Sequence, residues 1–197
     1  MLDRMAAVSP VPVINLLSDQ SHPCQAIADL LTLQQRFGSL AGLRVAYVGD
    51  FNNVARSLAL AAAFTGIDFV VASPPAYAPS QLDVDRIASY GGLFTVTDRP
   101  LEATKGANAV YTDVWISMGQ EAEADQRRRD FEGFNVSAAM FEQADPDAIF
   151  LHCLPAIRGE EVDADVIDGP QSAVFQQAAN RLAAARGALW FLAEAAS

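Results

Sequence analysis

Several short clusters in the sequence carry side chains that can do chemistry. The first is His22-Pro23-Cys24-Gln25. Histidine and glutamine can each donate to a carbonyl oxygen or accept from an amide. A helix beginning here adds the positive end of its dipole, which suits an anion; alone, the tetrapeptide reads first as a capping turn. The second is Gly49-Asp50-Phe51-Asn52-Asn53. Either asparagine can cap a following helix, or its amide can bind the carboxylate of an amino acid. The third runs from Asp113 to Ser117-Met118-Gly119. A carboxylate at the end of an apolar run must be solvated or paired, and an ammonium group is the obvious partner. The Ser117 hydroxyl and the backbone at Met118-Gly119 offer further hydrogen bonds; the plainer reading is an aspartate capping a loop. The fourth is His152-Cys153-Leu154-Pro155. Cysteine beside histidine suggests a nucleophile and its base, but neighbours along a strand face opposite ways. His152 is therefore not expected to activate Cys153, which is either a polar site residue without a covalent role or a small buried side chain. Last comes Asn180-Arg181, where the guanidinium either snorkels to the surface or reaches a carbonyl or phosphate oxygen.

The elements that must position these groups follow from periodicity. Segments 44–49, 67–73, 93–97, 108–114 and 148–154 are short and apolar, the pattern of buried parallel strands. Helical spacing links Ile27, Leu30, Leu31 and Leu33 before Gly38. It also links Val54, Leu58, Ala61, Ala62 and Thr65 before Gly66, and Leu82, Ile87 and Tyr90 before Gly91. A long pattern over 172–194 puts Val174, Phe175, Ala178, Leu182, Ala185 and Leu189 on one side. This alternation predicts a single α/β domain, a doubly wound, mainly parallel, Rossmann-like sheet flanked by helices. Ligands of such sheets bind beyond the carboxyl ends of the strands, so the tips at Asp50, Asp113 and His152-Cys153 should share one rim. A dinucleotide fingerprint needs three glycines and only Gly49 is present, so a nucleotide cofactor is not expected. The charged stretch 119–132 reads as a solvated loop or helix, with a mobile loop beside the site as the alternative.

Composition narrows the class. With 197 residues, 51% of them hydrophobic, the chain can bury one ordinary core. A net charge of −11 argues against a nucleic-acid partner. Cys24 and Cys153 are too few for a disulfide framework, and no C-x-x-C spacing suggests a metal. Neither a signal peptide nor a membrane-length apolar run is present. The expectation is a cytoplasmic protein with no membrane partner, metal or organic cofactor.

In order and spacing, the clusters resemble the ornithine carbamoyltransferases over roughly 11–195. The Ser117-Met118-Gly119 and His152-Cys153-Leu154-Pro155 elements separate the chain from the aspartate carbamoyltransferases, which share the fold and the His-Pro-x-Gln element. The resemblance implies carbamoyl transfer from carbamoyl phosphate to the δ-amine of L-ornithine, giving citrulline and phosphate. It implies that carbamoyl phosphate meets His22, Pro23, Cys24, Gln25, Cys153, Leu154 and Arg181. Ornithine would meet Asn53, Asp113, Ser117 and Met118, with Asp113, Cys153, His22 and Arg181 as the catalytic set. His22 and Arg181 are suited to the growing charge on the carbamoyl oxygen, and Asp113 or a Cys153 thiolate to the amine proton.

Departures from the family set further expectations. No Ser-x-Arg-Thr-Arg phosphate motif occurs, so residues 1–197 are expected to be the ornithine-binding half alone, weak for carbamoyl phosphate and poorly active. Residues 1–10 are expected to be disordered. The helix at about 172–194 should lack its packing partner, leaving Leu189, Trp190, Phe191 and Leu192 for self-association or a mobile tail. Ala179 stands where the family often has an acidic residue, which leaves Arg181 less well oriented. The alternative function is a non-catalytic binding or interaction domain that keeps the fold.

Overall fold

A computed structural model describes residues 1–195. A strand forms at each apolar run: β1 (Arg44–Val48), β2 (Asp68–Ala72), β3 (Leu93–Thr97), β4 (Ala109–Thr112) and β5 (Ile149–His152). Every pairing is parallel, in the order β3-β2-β1-β4-β5. The chain winds from β1 outward through β2 and β3, then crosses back to lay β4 on the other side of β1. That reversal opens a crevice at the carboxyl ends of β1 and β4.

The helices are α1 (Leu2–Ala6), α2 (Pro23–Phe37), α3 (Asn53–Thr65), α4 (Gln81–Ala88), α5 (Pro100–Thr104), α6 (Ala124–Asp130), α7 (Ala138–Phe141), α8 (Ala164–Ile167) and α9 (Val174–Ala195). Strand alternation builds a core on each sheet face. Tyr47, Phe69, Tyr111 and Leu151 pack with Leu33 of α2 and Leu58 of α3. Val48, Val70, Val110 and Phe150 pack with Phe131 and Ile167 on the other face. α2 and α3 stop at Gly38 and Gly66, whose φ of 77° and 73° are left-handed values that glycine adopts without a Cβ penalty. No helix among the described residues is long and apolar enough to cross a membrane.

Several local expectations need correction. Within 1–10, residues 2–6 form the short helix α1, which buries none of its side chains. α2 turns Ile27 outward and buries Gln25, Asp29 and Thr32 beside Leu33. Leu82 and Tyr90, predicted to line an inner face with Ile87, are exposed. α9 departs most: Phe175, Leu182 and Leu189 are 77%, 66% and 60% exposed, while Val174, Gln177, Asn180 and Ala184 face inward. The reason is a polar seam against α2. Gln177 donates to Asp29 at 2.6 Å, and Asn180 to Thr32 and Gln35 at 2.9 Å each. Amides that satisfy one another can line an interior, which leaves the apolar stripe outside. The segment 119–132 is not simply solvated either, because Arg127 on α6 is buried.

Candidate active site

Asp113 follows β4 directly and is buried at the crevice. Its Oδ1 accepts the Val114 N–H at 2.9 Å and the Cys153 thiol at 3.1 Å, and its Oδ2 accepts the Asn52 amide at 2.7 Å. Asn52 is also the N-cap of α3, its Oδ1 accepting Val54 N–H and Ala55 N–H. One side chain thus ties the start of α3 to the end of β4. The predicted ligand residue Asn53 points elsewhere and donates to the Ser18 carbonyl at 2.7 Å.

β5 presents the next group. His152 is buried, its Nδ1 accepting the Leu154 N–H at 2.9 Å while its Nε2 lies 3.3 Å from a Glu161 carboxylate oxygen. It makes no hydrogen bond to Cys153, but the expected opposite facing does not hold, because Cys153 lies past the end of β5 and its sulfur comes within 4.8 Å of a His152 ring nitrogen. The Leu154-Pro155 peptide is cis and Leu154 has a φ of 61°. Desolvation and the adjoining Asp113 carboxylate push the Cys153 thiol well above its usual range. The expected thiolate base is therefore corrected: Cys153 is a neutral donor to Asp113. Asp113, His152 and Cys153 bring potential metal-ligating atoms within 4.8 Å of one another. In this arrangement His152 Nδ1 and both Asp113 oxygens already hold internal partners.

The second cluster lies at the head of α2. Pro23 opens the helix and His22 occupies the N-cap position, its backbone N–H held by the Ser57 hydroxyl at 2.7 Å. Arg181 reaches over from α9, placing Nη1 2.5 Å from Gln25 Oε1 and 3.4 Å from His22 Nε2. Burial and the Arg181 charge lower the His22 pKa, against the raising effects of the Leu16 carbonyl and Asp113. The ring is therefore neutral at pH 7. Ala179 is exposed; Arg181 is oriented by Gln25, so an acidic neighbour at 179 is not what holds it. The predicted ligand residue Cys24 is buried, with its thiol 3.9 Å from the Asn15 carbonyl.

The remaining predicted residues sit in the loop after β4. Ser117 N–H donates to Gln120 at 2.9 Å, and the Met118 side chain is 91% exposed. Neither touches Asp113. Arg127, which the sequence reading missed, secures this loop by donating to the Trp115 carbonyl and to Asp50 at the tip of β1. Its guanidinium also covers the Tyr77 ring at 4.5 Å. Burial raises the Asp50 pKa, opposed by Arg127.

This geometry meets its relatives directly. A family model described as "Aspartate/ornithine carbamoyltransferase, Asp/Orn binding domain" matches residues 41–192. The chain belongs to the aspartate/ornithine carbamoyltransferase family. A second model from the same carbamoyltransferase family, for the carbamoyl-P binding domain, matches residues 1–35. The expectation of an ornithine-binding half alone is thereby overturned, since His22 and Gln25 fall in the segment matching the carbamoyl-P domain. The two matches leave the expected half-complete, weakly active enzyme without support. The ornithine carbamoyltransferase of Symbiobacterium thermophilum is 57% identical over 183 residues, 91% of this chain and 59% of that protein. The solved ornithine carbamoyltransferase of Pyrococcus furiosus superposes with a TM-score of 0.90 at 49% identity, over 95% of this chain and 61% of that one. The anabolic enzyme of Campylobacter jejuni gives 0.92 at 34% identity, over 98% and 65%. The chain spans about three fifths of the length of the curated relatives it matches.

Proposed function

We propose that this chain binds L-ornithine and carbamoyl phosphate and transfers the carbamoyl group to the δ-amine, releasing citrulline and phosphate. The observation that carries the reading is the buried Asp113 carboxylate between Asn52 and Cys153, near enough to His22 of the Arg181–His22 pair to act on its charge. Asp113 takes the α-ammonium of ornithine, with Asn53, Ser117 and the Met118 backbone serving the amino-acid end once the 115–120 loop folds down. Gln25, Leu154, Arg181 and His22 take the carbamoyl group, at the helix start opened by Pro23 and Cys24.

The δ-nitrogen attacks the carbamoyl carbon, the bond from that carbon to the bridging phosphate oxygen breaks, and phosphate leaves with the electron pair. Negative charge grows on the carbamoyl oxygen, where the permanent charge of Arg181, its Nη1 beside His22 Nε2, stabilises it. Both Asp113 oxygens already hold donors and Cys153 is a neutral thiol, so the amine proton passes to the departing phosphate. Holding the two substrates in line supplies much of the acceleration. Citrulline formation by the purified chain, with ornithine binding measured by calorimetry, tests the reading. Ornithine binding without citrulline at any carbamoyl phosphate concentration would instead favour a non-catalytic binding domain.

A further inference from the structure

Asp29 has no part in that scheme, yet it lies fully buried beneath both clusters. Its Oδ1 accepts the side-chain amide N–H of Gln25 at 2.7 Å and of Gln177 at 2.6 Å. Each amide is thereby locked in one of its two orientations. With its NH2 committed to Asp29, Gln25 turns its Oε1 to Arg181 at 2.5 Å. Gln177 likewise turns its Oε1 to the backbone N–H of His152 at 2.9 Å. We propose that Asp29 is a positioning residue for carbamoyl transfer, setting from one buried oxygen both the Arg181–His22 pair and the end of β5 that carries Cys153. Its consequence for turnover rests on the carbamoyl-transfer reading; the geometry stands without it.

The environment of Asp29 makes this a conditional device. Burial raises its pKa to about 7, restrained by the amides of Gln177 and Gln25, the Tyr111 hydroxyl and the Arg181 charge. A carboxylate is a stronger acceptor than a carboxylic acid, so the two glutamines are held firmly only above that pH. The other titratable or charged groups facing Asp29 come from each surrounding element: Tyr47 on β1, Tyr111 on β4, Cys153 beyond β5, Arg181 on α9 and His22 at the start of α2. Both tyrosines and Cys153 are pushed well above their usual values, and His22 is pushed below its own. Arg181 remains charged throughout. Asp29 is left as the group that changes charge near pH 7 in this network.

The test uses the full chain and an Asp29→Asn variant, with folding of each verified by circular dichroism. The side-chain amide signals of Gln25 and Gln177 are followed by 15N NMR across pH. In the native protein both are expected to shift together with one inflection near pH 7, and in Asp29→Asn to stay flat. In citrulline assays, kcat of the native protein should show an acid limb at the same pH, absent in the variant. The carbamoyl phosphate KM of the variant should rise about tenfold while the ornithine KM stays within about twofold. Separate inflections for the two glutamines, an inflection that survives in Asp29→Asn, or equal rises in both KM values would overturn the proposal. If the variant does not fold, coincidence or separation of the two native titrations decides it. If the native protein makes no citrulline, the functional reading fails while the amide titrations still decide the role of Asp29.

Discussion

At the scale of single residues, Asp113 and Cys153 illustrate how far strand-end placement constrains chemistry. Asp113→Asn keeps the shape but removes the charge offered to the ornithine ammonium. Ornithine affinity is expected to fall about 10- to 100-fold, read by calorimetry, with the carbamoyl phosphate KM unaffected. Cys153, protonated against Asp113, should react with iodoacetamide at pH 8 at least about tenfold more slowly than a free thiol, as followed by mass spectrometry. Fast alkylation would contradict its assignment as a neutral donor. Asp29 carries a stability signature of defined sign. Its folded pKa of about 7 lies above the ordinary 3.8, so the folded state holds this proton more tightly than the unfolded chain. That contribution is full below about pH 4 and is lost as pH rises to about 7, a span of roughly 4 kcal/mol. The melting temperature of the native protein relative to Asp29→Asn should therefore fall between about pH 4 and pH 7. Much of this site was legible beforehand. Asp113, Cys153, His22, Gln25 and Arg181 were named from types and spacing, because strand tips and helix starts are local signals. The resemblance singles out Asn53, whereas the side chain that bonds Asp113 is that of Asn52, since one step at a helix start redirects the side chain. The role of Asp29 was not legible: Gln25 and Asp29 are spaced for an i,i+4 pair, but their burial depends on α9, far away in sequence.

At the scale of elements, α6 is held by a side chain whose partners are remote in sequence. Arg127 joins α6 to Asp50 just past β1 and to Trp115 in the intervening loop. Removing it leaves Asp50 buried without its cation. Arg127→Met should destabilise the fold by about 3–5 kcal/mol, and adding Asp50→Asn should recover a large part of that loss. Urea denaturation of the native protein, the single variant and the double variant measures both numbers. Periodicity missed this latch because the cluster of charges in 119–132 resembles a solvated surface, and one buried member cannot be told from its exposed neighbours by composition. Strands fared better, since a buried parallel strand is apolar on both faces, although 93–97, expected to be buried, forms the edge strand β3 with Leu93 and Val96 exposed. α9 misled for the opposite reason: its apolar stripe was assigned inward, whereas beyond Val174 its buried face is made of amides and alanine. Leu182→Gln should therefore change stability by no more than about 0.5 kcal/mol. Asn180→Ala, which removes a donor from Thr32 and Gln35 while leaving them the Ala28 carbonyl and the Gln176 amide, should cost about 1 kcal/mol.

Over the whole molecule, the winding order determines where chemistry is possible. The connections leaving β1 and β4 run to opposite sides of the sheet, and Arg181 of α9 meets the head of α2, so residues from position 22 to position 181 come together although most of the chain separates them. Alternation of strands and helices made this architecture readable, and the strand-end rule located the rim. What the sequence left hidden was the way one face of the sheet is roofed, because a roof built of matched polar pairs has no hydrophobic signature. That roof has an evolutionary consequence. Gln25, Asp29 and Gln177 interlock like teeth of a key, so a library randomising all three together should return working proteins mainly as coordinated sets, with single exchanges rare among the survivors.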